Sequence, residues 1–177
     1  MSRSICWLTA LLLSASNIAY TQQAKDSDSD YIQKATSAAP ASIAKDAAVV
    51  KFEDGTMRTL RPGTNGFTCM MMGTDKMCND ANSMEFFHAV MTKGAPPEKV
   101  GVSYMLAGDD GASNTDPYAK GKTADNHWIV TGPHIMLVGA AAKQLGYTTA
   151  KDPDPTKPYM MWVGTPYEHA MIPTAAK

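Results

Sequence analysis

The stretch "VVKFEDGTMRTL", Val49 to Leu60, decides how this chain is read. Val50 and Phe52 alternate with Lys51 and Glu53, and Met57, Thr59 and Leu60 continue beyond the turn. Asp54-Gly55 between them tolerates positive φ. Period-two patterning on both sides of an Asp-Gly pair is the signature of an antiparallel hairpin. Strand signals recur downstream. "KVGVSYMLAG" reads as one strand, and "HWIVTGPHIMLVG" as two short strands broken at Gly132-Pro133. "YMMWVG" and "YEHAMIP" follow as two more. "NDANSMEFFHAVMTKG" reads as a helix capped by Asn79 or Asp80 and ended at Lys93-Gly94, and "AAAKQLGY" as a short one. Met84, Phe87, His88 and Met91 share one helical stripe, the side expected to face the core. Strands and helices do not alternate as βαβ units. The expected class is α+β, a single domain with a mainly antiparallel sheet and a few short helices.

That domain is expected over residues 49–173, and what precedes it has a different character. Arg3 and the apolar run Ile5 to Leu13 are followed by small and polar residues, the layout of a secretory signal peptide. The run is too short to span a bilayer. Residues 1–21 are read as this signal, with cleavage after Ala19 or Thr21. Residues 22–48 are polar and then alanine-rich, a leader partly disordered or weakly helical, divided by Pro40. The expected product is periplasmic or secreted, with no membrane attachment after cleavage. Sixteen basic and seventeen acidic residues are spread along the chain, so no basic patch points to nucleic acid.

Export changes the cysteine arithmetic. Cys6 leaves with the signal, and Cys69 and Cys78 remain as a pair in an oxidising compartment, which reads as one disulfide. Closing so short a loop stabilises by about 2.5 kcal/mol in the chain-entropy account. The spacing suits neither a zinc site nor a C-x-x-C redox motif nor covalent haem. Between these cysteines, "TCMMMGTDKMC" crowds four methionines, Met70, Met71, Met72 and Met77. Consecutive methionines cannot all face one ion in a strand, so the segment is read as an apolar plug stapled by the disulfide.

The chemistry-bearing motif is His-x-Met, in His134-Ile135-Met136 and again in His169-Ala170-Met171. In a strand, residues i and i+2 share a face, so each tripeptide offers one imidazole and one thioether to the same side. Soft sulfur with imidazole selects Cu(I). If the two strands are neighbours, His134, Met136, His169 and Met171 converge on one ion. Copper is thus the expected cofactor of a metal-binding protein that is not an enzyme, its partners a metal ion or an unidentified periplasmic protein.

Two other readings compete. His127, His134, His169 and Glu168 would supply ligands for a zinc- or iron-dependent, hydrolase-like enzyme. Trp128, Trp162, Tyr159 and Tyr167 would form the exposed platform of a non-catalytic binding module, its histidines and methionines structural. No G-x-S-x-G or H-E-x-x-H motif occurs. Asp116 stands where a phosphate loop ending in Gly121-Lys122-Thr123 needs glycine. The loop from Asp109 to Asp116 lacks the carboxylate spacing of an EF-hand.

At "GPHIMLVG" and "DPDPTKPYMMWVGTPYEHAMIP" the chain resembles uncharacterised exported proteins of bacteria, over about Gly63 to Pro173. The resemblance implies a bacterial, periplasmic setting. It carries no activity, fold or functional residue.

Overall fold

The computed structural model describes residues 27–174. The segment read as a signal peptide, residues 1–21, lies outside them. The Asp-Gly hairpin forms as its pattern dictates: β1 (Ala48–Glu53) pairs antiparallel with β2 (Thr56–Arg61) around Asp54 and Gly55, both at positive φ. β3 (Thr68–Met72) lies parallel to β1 and is followed by β4 (Asp75–Asn79), β5 (Gly101–Met105), β8 (His134–Val138), β10 (His169–Pro173) and β9 (Tyr159–Met161). Together they make one eight-stranded, mainly antiparallel sheet. β6 (Ala112–Ser113) and β7 (Trp128–Ile129) pair separately. The α+β expectation therefore holds at the level of a sheet-rich domain with short helices.

The two faces of the sheet are covered differently. α1 (Asp28–Thr36) and α2 (Ala41–Ala44) lie in the segment read as a leader; α1 packs into the domain's core, and α2 buries Ala44. Ser27 caps α1 by accepting from the Asp30 amide. The buried Tyr31, Ala35 and Ala38 pack on Val49, Cys69 and Cys78, and the Tyr31 hydroxyl accepts from the Met71 amide at 2.9 Å. The small alanines let the helix approach the sheet closely.

The other face carries α3 (Ala81–Thr92), whose start is clamped to β5. One Asp80 oxygen accepts from the Ser83 amide at 2.8 Å and the other from the Val102 amide at 3.0 Å. Gly101 is required beneath it, because a Cβ there would come within 2.4 Å of the Ser83 nitrogen. The expected core stripe of this helix is corrected. Phe86, Ala89 and Val90 face inward, while His88 is exposed, Met91 is 54% exposed, and Met84 and Phe87 are only half-buried. Asp80 ties the start of the helix to β5, and in the resulting placement Met91 lies on the outer side.

The segment read as a plug is also corrected. It is a regular hairpin, with Cys69 opposite Cys78 and Met70 opposite Met77, turned at Gly73. The Cys69–Cys78 disulfide forms, joining adjacent strands. Alternation sends both cysteines to the α1 face and both Met70 and Met77 to the other. Among the described residues no helix is long and apolar enough to cross a membrane.

Candidate functional site

β8 and β10 are neighbours. Met136 stands opposite Met171, His134 opposite Pro173, and the same register sets His169 opposite Val138. Paired residues share a face, so His134, Met136, His169 and Met171 all point to the α3 side. All four are buried there, at 0%, 5%, 1% and 1% exposure, and all line one cavity of about 640 Å³. The two histidines stand at diagonal corners of this group, with the paired methionines between them. Their backbones are four residues apart along the strands, about 13 Å.

Register also supplies neighbours that the motif alone did not reveal. Met105 on β5 is directly opposite His134, and Met161 on β9 is directly opposite His169. Met70 and Met77, a pair on β3 and β4, extend the same lining, so buried thioethers flank both imidazoles.

The two histidines are held by one device, used twice. His134 Nδ1 donates to the Gly132 carbonyl at 2.7 Å, and His169 Nδ1 donates to the Tyr167 carbonyl at 2.9 Å. A neutral imidazole has one N–H and one lone pair, so these bonds assign the lone pair to Nε2. Both Nε2 atoms are buried without a hydrogen-bond partner. Burial holds the His134 pKa below its ordinary value. It lowers that of His169 to about 4, the carbonyl bond opposing the shift and nearby His134 adding to it. Both rings are therefore neutral at pH 7.

The His169 ring is wedged edge-on against Trp162, centroids 4.8 Å apart, and against Phe86 at 5.7 Å. Trp162 is itself pinned, its Nε1 donating to the Ser113 carbonyl at 2.9 Å. The His134 end is more polar. Asp109 Oδ2 lies 4.0 Å from His134 Nε2, while Oδ1 accepts from the amides of Thr131 at 2.8 Å and Gly111 at 3.0 Å. Desolvation pushes the Asp109 pKa up to about 6. In the sequence Asp109 opens a loop without EF-hand carboxylate spacing, and no pattern in the chain marks it for burial.

The rival ligand set is not assembled. His127 pairs through Nδ1 with the Asp152 carboxylate at 2.9 Å, and Glu168 accepts from the Gly164 amide at 3.1 Å. Among the described residues no group of three or more His, Cys, Asp or Glu side chains could hold a metal ion. Any ion held by His134 and His169 must therefore use thioether sulfur as well. The aromatic platform is likewise corrected: Tyr159 and Tyr167 are buried, with 0% and 4% exposure. Their hydroxyls are engaged inside the fold, Tyr159 with Thr131 and Tyr167 with the Gly94 carbonyl. Comparison with family models, curated proteins and solved structures finds no match to this chain.

Proposed function

We propose that this is an exported protein that binds Cu(I) in the methionine-lined cavity, through His134, Met136, His169 and Met171. One observation carries the reading. Two buried imidazoles have their Nδ1 protons committed to backbone carbonyls and their Nε2 lone pairs left without a hydrogen-bond partner, in a cavity lined by thioethers. A buried acceptor without a partner costs roughly 1–3 kcal/mol. Metal-ligating histidines commonly donate their other ring N–H to a backbone carbonyl or carboxylate, which fixes the tautomer. Soft sulfur beside neutral nitrogen favours Cu(I) over harder ions, and thioethers need no deprotonation to bind. Export and the disulfide are consistent with an oxidising compartment.

The test is an anaerobic Cu(I) titration under a competing chelator. Submicromolar binding is expected, and it should weaken at least tenfold in His169→Ala and in Met171→Ala. Ile135→Ala, on the opposite face of β8, serves as the control and should retain full affinity. Binding no tighter than micromolar, or equal affinity in all the variants, contradicts the reading.

A further inference from the structure

The two ends of the cavity differ in hardness. Around His169 the neighbours are Met161, Met171, Trp162 and Phe86, with no carboxylate among them. At His134 a carboxylate oxygen faces the imidazole lone pair. The geometry points to a second cation site there, formed by His134 Nε2 and Asp109 Oδ2, that takes Cu(II). It goes beyond Cu(I) binding, since neither of its two donors is sulfur.

The separation is the first argument. Nitrogen and oxygen bond first-row divalent ions at about 2.0–2.1 Å. The 4.0 Å gap between Nε2 and Oδ2 is about twice that length, the separation of two donors that share one ion between them. The gap is also too long for a direct hydrogen bond, which would close to about 3 Å. The second argument is that both donors are preset. His134 is fully buried with its tautomer fixed by Gly132, and Nε2 has no other partner. Asp109 is held by two backbone amides on Oδ1, which leaves Oδ2 turned to the imidazole. Gly111 makes that turn possible, because it lies at φ +100° and a Cβ would meet the Trp128 Nε1 at 2.1 Å.

Charge and ligand type then choose the ion. Asp75 lines the same cavity and accepts from the Asp110 amide, so carboxylates gather on this side. A nitrogen–oxygen donor pair with open positions for water suits the tetragonal preference of Cu(II), and Cu(II) leads the divalent affinity order. Both readings draw on His134 Nε2, so the cavity holds one copper at a time, Cu(I) with the thioethers or Cu(II) with Asp109.

The test uses the mature protein and Cu(II) alone, read by electron paramagnetic resonance and by titration without reductant. One protein-bound Cu(II) with nitrogen hyperfine coupling is expected. Asp109→Asn keeps the Oδ1 acceptor but replaces Oδ2 by an amide nitrogen, and it should weaken Cu(II) at least tenfold. His134→Ala should remove the signal, and His169→Ala should leave it in place. If His134→Ala fails to fold, Asp109→Asn decides alone. A spectrum of free copper only, or unchanged Cu(II) affinity in Asp109→Asn, overturns the site. Parallel Cu(I) titrations keep the two readings apart: loss of Cu(I) binding with Cu(II) retained supports this site and sinks only the soft one.

Discussion

The hairpin of β3 and β4 shows two outcomes of one sequence. Its cysteines face α1, in a packed layer of Tyr31, Ala35, Ala38 and Val49, closed by a disulfide. Its inward methionines, Met70 and Met77, face a cavity in which two imidazole nitrogens have no partner. One face is arranged for stability. The other keeps unmet bonding capacity that stability alone would have removed. The difference teaches where to look for function, because buried polar atoms left unpaired in a native fold call for a ligand or a chemical role.

The largest expected effect exploits proton linkage on the cavity face. His169 titrates at about 4 when folded, against 6.5 in the unfolded chain. Its contribution is present above pH 6.5 and lost as pH falls toward 4, by about 3 kcal/mol. Asp109 runs the other way. Its pKa is raised from 3.8 to about 6, so it favours the folded state below 3.8 and loses that contribution as pH rises through 6. In the metal-free protein the two offset one another between pH 4 and 6.5. Asp109→Asn removes the offset, so its unfolding free energy, read from denaturant curves, should fall more steeply on acidification, by up to about 3 kcal/mol relative to the parent. Parallel pH profiles for the two proteins would break this account.

On the packed face, breaking the staple should cost about 2.5 kcal/mol in the paired Cys69→Ala, Cys78→Ala variant, measured by urea unfolding. Ala35→Leu should cost 1–3 kcal/mol, since Ala35 is fully buried against the sheet with no room to grow. The cavity face should respond differently to an apolar replacement. His169→Leu loses a carbonyl bond but also removes a desolvated nitrogen, so metal-free stability should change by less than about 1 kcal/mol or rise. A loss as large as that of Ala35→Leu would show His169 to be an ordinary core residue.

The smallest effect is kinetic. Met57, Met72 and Met91 are exposed at 49%, 38% and 54% and line the cavity's mouth. Replacing all three by alanine should slow Cu(I) uptake in stopped-flow mixing and leave equilibrium affinity within twofold. An unchanged uptake rate would remove the mouth from the binding path.

Much of this was legible wherever the signal is local. The Asp54-Gly55 turn, the break at Gly132-Pro133 and the Asp80 cap all follow from residues adjacent in the chain. The same-face pairing of each His-x-Met follows from period two alone. The β3–β4 hairpin was not legible, because methionine has little strand preference and Gly73-Thr74 is a weak turn signal. Met105 and Met161 became neighbours of the histidines only through strand order, which places β5 beside β8 and β9 beside β10. Asp109 reads as part of a loop, since its bond with the Gly111 amide is a local turn contact and its other partner, Thr131, meets it only in the fold.

The central claim is that both Nε2 atoms are unprotonated and bind Cu(I). Long-range nitrogen–proton correlation spectra of the imidazoles, recorded anaerobically at pH 7 before and after Cu(I) addition, read both properties at once. The account predicts protonated Nδ1 at His134 and His169 in the metal-free protein, with the Nε2 resonances of both shifting on Cu(I) addition and those of His88 and His127 unmoved. A proton on Nε2 before addition, or Nε2 resonances that stay in place after it, would contradict the account.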